Sequence, residues 1–289
     1  MTDKATHSAT KPLAFIGSGS MNTAIVAGIL AGGWPAELLR ATVASEAGLA
    51  RLRQNLGQAA DRMFLASLES SAGANREAAA GAAALLIGVK PYRILELAAE
   101  LRQDLAEDTL VISLAAGVSL VSLQEAFGPQ QAVIRCMPNT PAKVGKGVLA
   151  YACGSRVSPD QAQLAAHILG SVGQALPLAE QQFDAVTALS GSGPAYVFLL
   201  AETMAQAAIK LGLEPETAYR VAGATVAGAG YLLEENPDPA SLRRAVTSPG
   251  GTTEQAILSF ERDDLAGVTL RAMQACAQKS AEMSKLYRR

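Results

Sequence analysis

Histidine, cysteine and aromatic side chains are scarce in this chain of 289 residues: two His, three Cys, one Trp, and 4% aromatics overall. Cys136, Cys153 and Cys276 are odd in number and form no Cys-x-x-Cys pair or Cys/His cluster. Neither a disulfide framework nor a metal site is therefore expected, and a reducing cytoplasm is the expected setting. His7 lies in a polar segment and His167 in a surface-type helix, so no histidine is offered for acid–base work. Net charge is close to zero, at −2, which leaves no basic field for nucleic acid or an anionic membrane surface. Long apolar runs are missing too. The longest, Val221–Leu233, holds three glycines and is too short to span a bilayer. Residues 1–10 are polar without an apolar core; a disordered tail is expected there rather than a signal peptide.

What is present suits a globular enzyme. Hydrophobic residues make up 49% of the chain, ample for a core, and the length favours two domains. Lys11–Ile16 reads as a strand, followed by Gly17-Ser18-Gly19-Ser20-Met21-Asn22 and a helix over Thr23–Ala31. Strand, glycine turn and helix in that order open a dinucleotide-binding domain. Gly17 suits the tight turn, and Gly19 removes the side chain that would block a pyrophosphate. Asn22 stands at the third glycine position, so the fingerprint is incomplete.

Alternation then continues. Strands are expected at Leu39–Ala44, Met63–Leu65, Ala83–Val89, Leu110–Leu114, Ala132–Met137, Gly147–Ala152 and Gln174–Leu178. Helices are expected at Leu49–Leu56, Ile94–Leu101, Leu120–Phe127 and Pro159–Leu169. Ala83–Val89 is apolar throughout, the mark of a strand buried on both faces of a parallel sheet. Residues 11–178 thus read as a doubly wound α/β, Rossmann-type domain.

After about residue 180 the strand pattern stops, and residues 179–289 read as all-helical. Ser192-Gly193-Pro194 starts a helix that runs to Lys210, with one narrow polar stripe of Glu202, Gln206 and Lys210. The next helix, Pro215–Glu235, has almost no polar residue between Arg220 and Glu234. Its Gly223, Gly228 and Gly230 each cost about 1 kcal/mol relative to Ala in a helix interior. Close helix–helix contact is the expected compensation, and a second subunit the expected source of it. Farther on, Thr247–Glu261 reads TSPGGTTEQAILSFE. Two adjacent glycines permit close backbone approach. Thr252 and Thr253 stand where helix N-cap residues belong, which offers hydroxyls and free N–H groups to a small anion such as a carboxylate.

Taken together, FIGSGSMNTAI at Phe15–Ile25, GVKP at Gly88–Pro91, AAGV at Ala115–Val118, RCMPNTP at Arg135–Pro141, DAVTALSGSGPAY at Asp184–Tyr196 and VTSPGGTTEQAIL at Val246–Leu258 resemble the pyrroline-5-carboxylate reductase family. The resemblance implies a Rossmann domain followed by an all-α dimerisation domain. It implies hydride transfer from NADPH, with NADH as the alternative, to the C=N bond of 1-pyrroline-5-carboxylate, giving L-proline. It also implies a homodimer or an oligomer of dimers. Cofactor positions carried over are Gly17, Ser18, Gly19, Ser20, Met21, Asn22, Ser45, Asn75, Gly88, Val89, Lys90, Pro91, Ala115, Ala116 and Gly117. Substrate positions are Glu180, Ser248, Gly250, Gly251, Thr252 and Thr253, with Thr253 or a water held there as the proton donor. Asn22 and Tyr92 depart from the residues usual in the family.

Glu46, beside Ser45, reads as a carboxylate that pairs with a ribose 2′-OH and repels a 2′-phosphate; Arg51 and Arg53 could answer it from the following helix. Cofactor preference stays open on these residues. Two other readings are weighed against the family. A β-hydroxyacid dehydrogenase would carry a Lys, with an Asn one turn later, early in the first long helix, and GPAYVFLLAETMAQ has neither there. A non-catalytic dinucleotide sensor would have no need of the glycines and hydroxyls of Thr247–Thr253.

Overall fold

A computed structural model describes residues Thr10–Leu286, so the tail expected over 1–10 lies almost wholly outside the described residues. The chain divides into two compact units. One comprises residues up to Gly191 together with the segment from Gln278 onward; the other comprises Ser192–Ala277.

In the first unit the strands are β1 (Leu13–Ile16), β2 (Leu39–Val43), β3 (Phe64–Ser67), β4 (Ala84–Ile87), β5 (Leu110–Ser113), β6 (Ala132–Met137), β7 (Gly147–Cys153) and β8 (Gly173–Pro177). They form one sheet in the order β3-β2-β1-β4-β5-β6-β7-β8. Helices α1 (Ser20–Ala31), α2 (Glu46–Leu56), α3 (Ala74–Ala79), α4 (Ile94–Leu101), α5 (Leu120–Phe127), α6 (Pro159–Gly170) and the short α7 (Phe183–Val186) belong to the same unit. Alternate strand residues feed two cores. Leu13, Phe15 and Leu86 join one face, while Ala14, Ile16, Leu85 and Ile87 join the other. This two-sided burial is what the near-continuous apolar strands require.

Pairing is parallel except between β6 and β7, where Cys136 lies opposite Tyr151. The segment between those strands, residues 138–146, is too short for a crossover back to a parallel start, which takes a dozen residues or more. Helix α3 has no counterpart among the helices expected from sequence, and α1 does not start at Thr23. Instead the helix begins at Ser20, so Ser20, Met21 and Asn22 are its first turn and not loop. The strand order reverses at β1 and β4. Such a switch point leaves a crevice at the carboxyl ends of the strands, where ligands of open α/β sheets bind.

The second unit is helical: α8 (Gly193–Lys210), α9 (Pro215–Glu235), α10 (Pro239–Ala245), α11 (Thr252–Arg262) and α12 (Leu265–Leu286), whose last turns count with the first unit. Its own buried core is small, with Ala205, Ala218 and Ala222 packed by Ala208 and Ile209. Large apolar side chains on α8 and α9 stay exposed within the chain, Phe198 at 66% and Tyr231 at 65% among them. Among the described residues no helix is long and apolar enough to cross a membrane.

Candidate functional site

Glycine geometry builds the floor of the crevice. Gly17 has φ +72°, and a Cβ there would come within 2.7 Å of Val89 Cγ1. A Cβ on Gly88 would come within 2.8 Å of the Gly17 carbonyl. β1 and β4 therefore close on each other only because both positions lack side chains. Gly19 differs, since a Cβ on it would meet nothing within 4 Å, so the space above it is open to a ligand. Gly19 also precedes α1 as its N-cap and supplies no side-chain cap. The first N–H groups of α1 thus point out of the helix at its positive end. A cradle of backbone N–H groups beneath open space fits a pyrophosphate.

A cavity of about 320 Å³ occupies this crevice. Gly17, Ser18, Gly19, Ser45, Asn75, Gly88, Val89 and Lys90 all line it, as the sequence reading places them. Ser20, Met21, Pro91, Ala115, Ala116 and Gly117 are not among its lining residues. Asn22 is absent as well, for a clear reason: it is buried, and its Nδ2 donates to the carbonyls of Ile16 (3.2 Å) and Leu86 (3.4 Å). It ties α1 to the sheet below the turn.

At the β2 end, Ser45 caps α2, its Oγ accepting from the Gly48 N–H at 3.2 Å. Glu46 does not face the cavity. Its carboxylate accepts from the hydroxyl of Ser67 at the end of β3, while its N–H donates to Glu69 Oε2 at 2.9 Å. Hydrogen bonds from Ser67 and then Ser70 hold the Glu46 carboxyl below its usual pKa. Arg51, one turn farther along α2, does line the cavity. Thr42, Tyr92, Glu96 and Glu100, to which the sequence assigns no cofactor role, line it too. Glu96 and Glu100 lie one turn apart on the same face of α4, and Arg93, which also lines the cavity, immediately precedes that helix; that spacing is the available signal.

Loop Ala115–Gly117 follows β5, and Ser119 caps α5 by accepting from the Ser122 N–H at 3.1 Å. Glu180 reaches the start of that helix: its Oε1 accepts from the Leu120 N–H at 2.7 Å and from Arg135 Nη1 at 2.9 Å. The Arg135 guanidinium lies 4.6 Å from the centroid of the Phe183 ring. Arg135 is buried, with its side chain 8% exposed, and a buried cation needs such a partner. These groups border a second cavity of about 470 Å³, lined also by Asp184 and Ser284.

In the second unit, Gly250 has φ +75°, the left-handed conformation that glycine adopts without strain. Its N–H donates to Glu254 Oε2 at 2.8 Å. Gly251, and not Thr252 or Thr253, is the N-cap of α11. The two threonines are its first helical residues, both exposed, and Ser248 accepts through its carbonyl from the Gly251 N–H at 3.0 Å. The cap moved because an extended Gly251 ends the turn one residue earlier than side-chain type suggests. The motif still offers what an anion requires, namely free N–H groups and hydroxyls at a helix start.

Two family models match the chain. "Pyrroline-5-carboxylate reductase dimerisation" matches residues 180–283, and "NADP oxidoreductase coenzyme F420-dependent" matches residues 12–117. Pyrroline-5-carboxylate reductase of Pseudomonas aeruginosa is 40% identical over 278 residues, covering 96% of this chain and 98% of the relative. The Escherichia coli enzyme is 34% identical over 278 residues, covering 95% and 99%. Among solved structures, the Coxiella burnetii reductase superposes with TM-score 0.85 at 35% identity, covering 95% of this chain and 99% of that one. A Plasmodium falciparum pyrroline carboxylate reductase with NADP bound gives TM-score 0.78 at 26% identity, covering 95% and 98%. With relatives this similar over nearly their whole length, and a Rossmann crevice built to take a dinucleotide, the chain belongs to the pyrroline-5-carboxylate reductase family, NAD(P)H-dependent oxidoreductases that reduce the C=N bond of 1-pyrroline-5-carboxylate to L-proline.

Proposed function

We propose that this reductase uses NADPH in preference to NADH and works as a cytoplasmic homodimer or an oligomer of dimers. In this reading residues 11–178 hold the cofactor, and residues 179–289 supply the substrate contacts and the dimer contacts. The observation that carries the cofactor preference is the division of labour on α2: Arg51 lines the cavity while Glu46 turns to Ser67. A guanidinium at the adenosine end answers a 2′-phosphate, and the carboxylate that would repel one is directed elsewhere.

The bound nicotinamide supplies the hydride. The chain's own part is to bind, align and exclude water, because a protonated cyclic imine is already a good electrophile. Gly17–Asn22 and Gly88–Pro91 form the cofactor cradle, with Ser45 and Asn75 toward the ribose and Ala115–Gly117 toward the nicotinamide. Ser248–Thr253 receives the substrate carboxylate. Thr253 hydrogen-bonds the imine end, and a hydroxyl there, or a water it holds, delivers one proton to nitrogen. Glu180 has a substrate-side role that its bonds to Leu120 and Arg135 keep in position. The three cysteines are unpaired, which suits the reducing cytoplasm.

Steady-state kinetics with 1-pyrroline-5-carboxylate and each nicotinamide test the preference. Arg51→Gln is expected to raise KM for NADPH about fivefold to tenfold, the loss of one charge-assisted contact at an exposed site, with NADH little changed. Glu46→Gln is expected to leave the NADPH/NADH ratio of kcat/KM as in the wild type. An unchanged ratio in Arg51→Gln would remove that residue from the preference; a ratio that moves with Glu46→Gln would put the carboxylate back at the ribose.

A further inference from the structure

We infer that Thr42 and Glu100 are positioning residues that orient Asn75 as a hydrogen-bond donor to an oxygen of the cofactor's adenosine half. The inference rests on the cofactor reading above and extends it to two residues with no assigned role.

Asn75 stands on the short α3 and is buried, 3% exposed, yet it lines the cavity. Its amide is held from two sides. Thr42 Oγ1 donates to Asn75 Oδ1 at 2.8 Å, and Asn75 Nδ2 donates to Glu100 Oε2 at 3.3 Å. The orientation follows from the chemistry of the partners. An ionised carboxylate only accepts. Glu100 therefore demands the amide nitrogen, which turns Oδ1 to β2, where the Thr42 hydroxyl donates. Oδ1 is thereby turned to the Thr42 hydroxyl, and one of the two Nδ2 protons goes to Glu100. The remaining Nδ2 proton is what Asn75 has to offer a ligand. Only an acceptor, a ribose or phosphate oxygen, can take it.

Place in the fold picks out the adenosine half. Thr42 is on β2, whose carboxyl end serves the adenosine ribose in dinucleotide-binding sheets. Its carbonyl also accepts from the Ser18 N–H at 2.7 Å, so the same residue steadies the glycine turn and the amide. Without Glu100 the Thr42 hydroxyl, which can donate or accept, would serve either amide orientation. In one of the two, a carbonyl oxygen would then confront the cofactor oxygens.

Electrostatics and orientation predict opposite signs for the loss of Glu100. NADPH is an anion, and removing a nearby carboxylate should tighten its binding if charge were all that mattered. Loss of orientation should weaken it. Calorimetric titration of the full-length protein with NADPH and with 2′,5′-ADP separates the two. Glu100→Leu is expected to bind both ligands about threefold to tenfold more weakly, the range for one net hydrogen bond, with the kinetic loss in KM for NADPH and not in kcat. Glu100→Gln can accept from Nδ2 or donate to Oδ1, so it no longer dictates the orientation, and it is expected to bind both ligands more weakly than the wild type but more tightly than Glu100→Leu. Thr42→Val, isosteric and without the hydroxyl, is expected to weaken both ligands in the same way. In the pair Asn75→Asp with Glu100→Gln, the internal bonds are restored with reversed polarity but no donor faces the cavity; binding is expected to stay at least tenfold weak. Recovery of affinity in that pair, unchanged or tighter binding by Glu100→Leu, or a loss seen with NADPH but not with 2′,5′-ADP would overturn the inference. If the wild type binds neither ligand, the cofactor reading itself fails.

Discussion

Thr253→Ala is expected to raise KM for 1-pyrroline-5-carboxylate and to lower kcat, about tenfold to a hundredfold together in kcat/KM. That range corresponds to one hydrogen bond to a charged or polar ligand group, about 1.5–3 kcal/mol. Thr253 is the second residue of α11 and is exposed. The turn before it is held by its own bonds: Gly250 N–H to Glu254, and Gly251 N–H to the Ser248 carbonyl. Removing the hydroxyl should leave that turn intact, so the loss falls on the ligand and not on the fold. Dissociation of NADPH, measured without substrate, should not move. Thr253→Ser, which keeps the hydroxyl, should recover most of the activity. Wild-type kinetics in Thr253→Ala would remove the residue from the site.

This expectation depended on a motif read correctly by type and one residue out in position. The same pattern recurs along the chain. The parallel sheet was legible because strands buried on both faces must be apolar throughout, and Ala84–Ile87 and Leu110–Ser113 are entirely buried. The glycine turn was legible because Gly17 and Gly88 face constraints no other residue meets. Directions of side chains were not legible. Glu46 sits beside Ser45 in sequence, but its partner Ser67 is 21 residues away on β3, and no local rule places that hydroxyl. Asn22 reads as a defective glycine of the fingerprint; in the fold it ties the Ile16 and Leu86 carbonyls to α1. Glu180 reads in sequence only as a substrate contact, and nothing local pairs it with Arg135 on β6. The fold joins the two across 45 residues into one partly buried pair that also fastens the start of α5. The turn to antiparallel at β7 was decided by the length of a connection, which is visible in sequence only after both strands are placed.

The largest effect is expected at Gly228. A charge there, Gly228→Glu, should abolish the dimer and the activity together. Three glycines lie in the interior of α9, at about 1 kcal/mol each relative to Ala. Yet a Cβ on Gly223, Gly228 or Gly230 would meet nothing within 4 Å in the chain itself. Close packing within one subunit therefore does not offset their cost. The same helix and α8 expose Phe198, Leu199, Tyr231 and Leu232, each more than half accessible. So many large apolar side chains left exposed on two neighbouring helices suit an interface, and the pyrroline-5-carboxylate reductase dimerisation match spans these helices. A second copy of α8 and α9, approaching across a two-fold axis, would bury those side chains and take up the space the glycines leave. Two outcomes then diverge. On a free surface, Gly228→Ala should stabilise by about 1 kcal/mol and Gly228→Glu should be harmless. In a close helix–helix contact, Glu places an unpaired carboxylate in an apolar seam and forces the helices apart. Sedimentation velocity at micromolar protein should show a dimer or larger species for the wild type and a monomer, inactive or unfolded, for Gly228→Glu. A well-folded and fully active wild-type monomer at that concentration, or a Gly228→Glu protein that remains assembled and active, would overturn the interface.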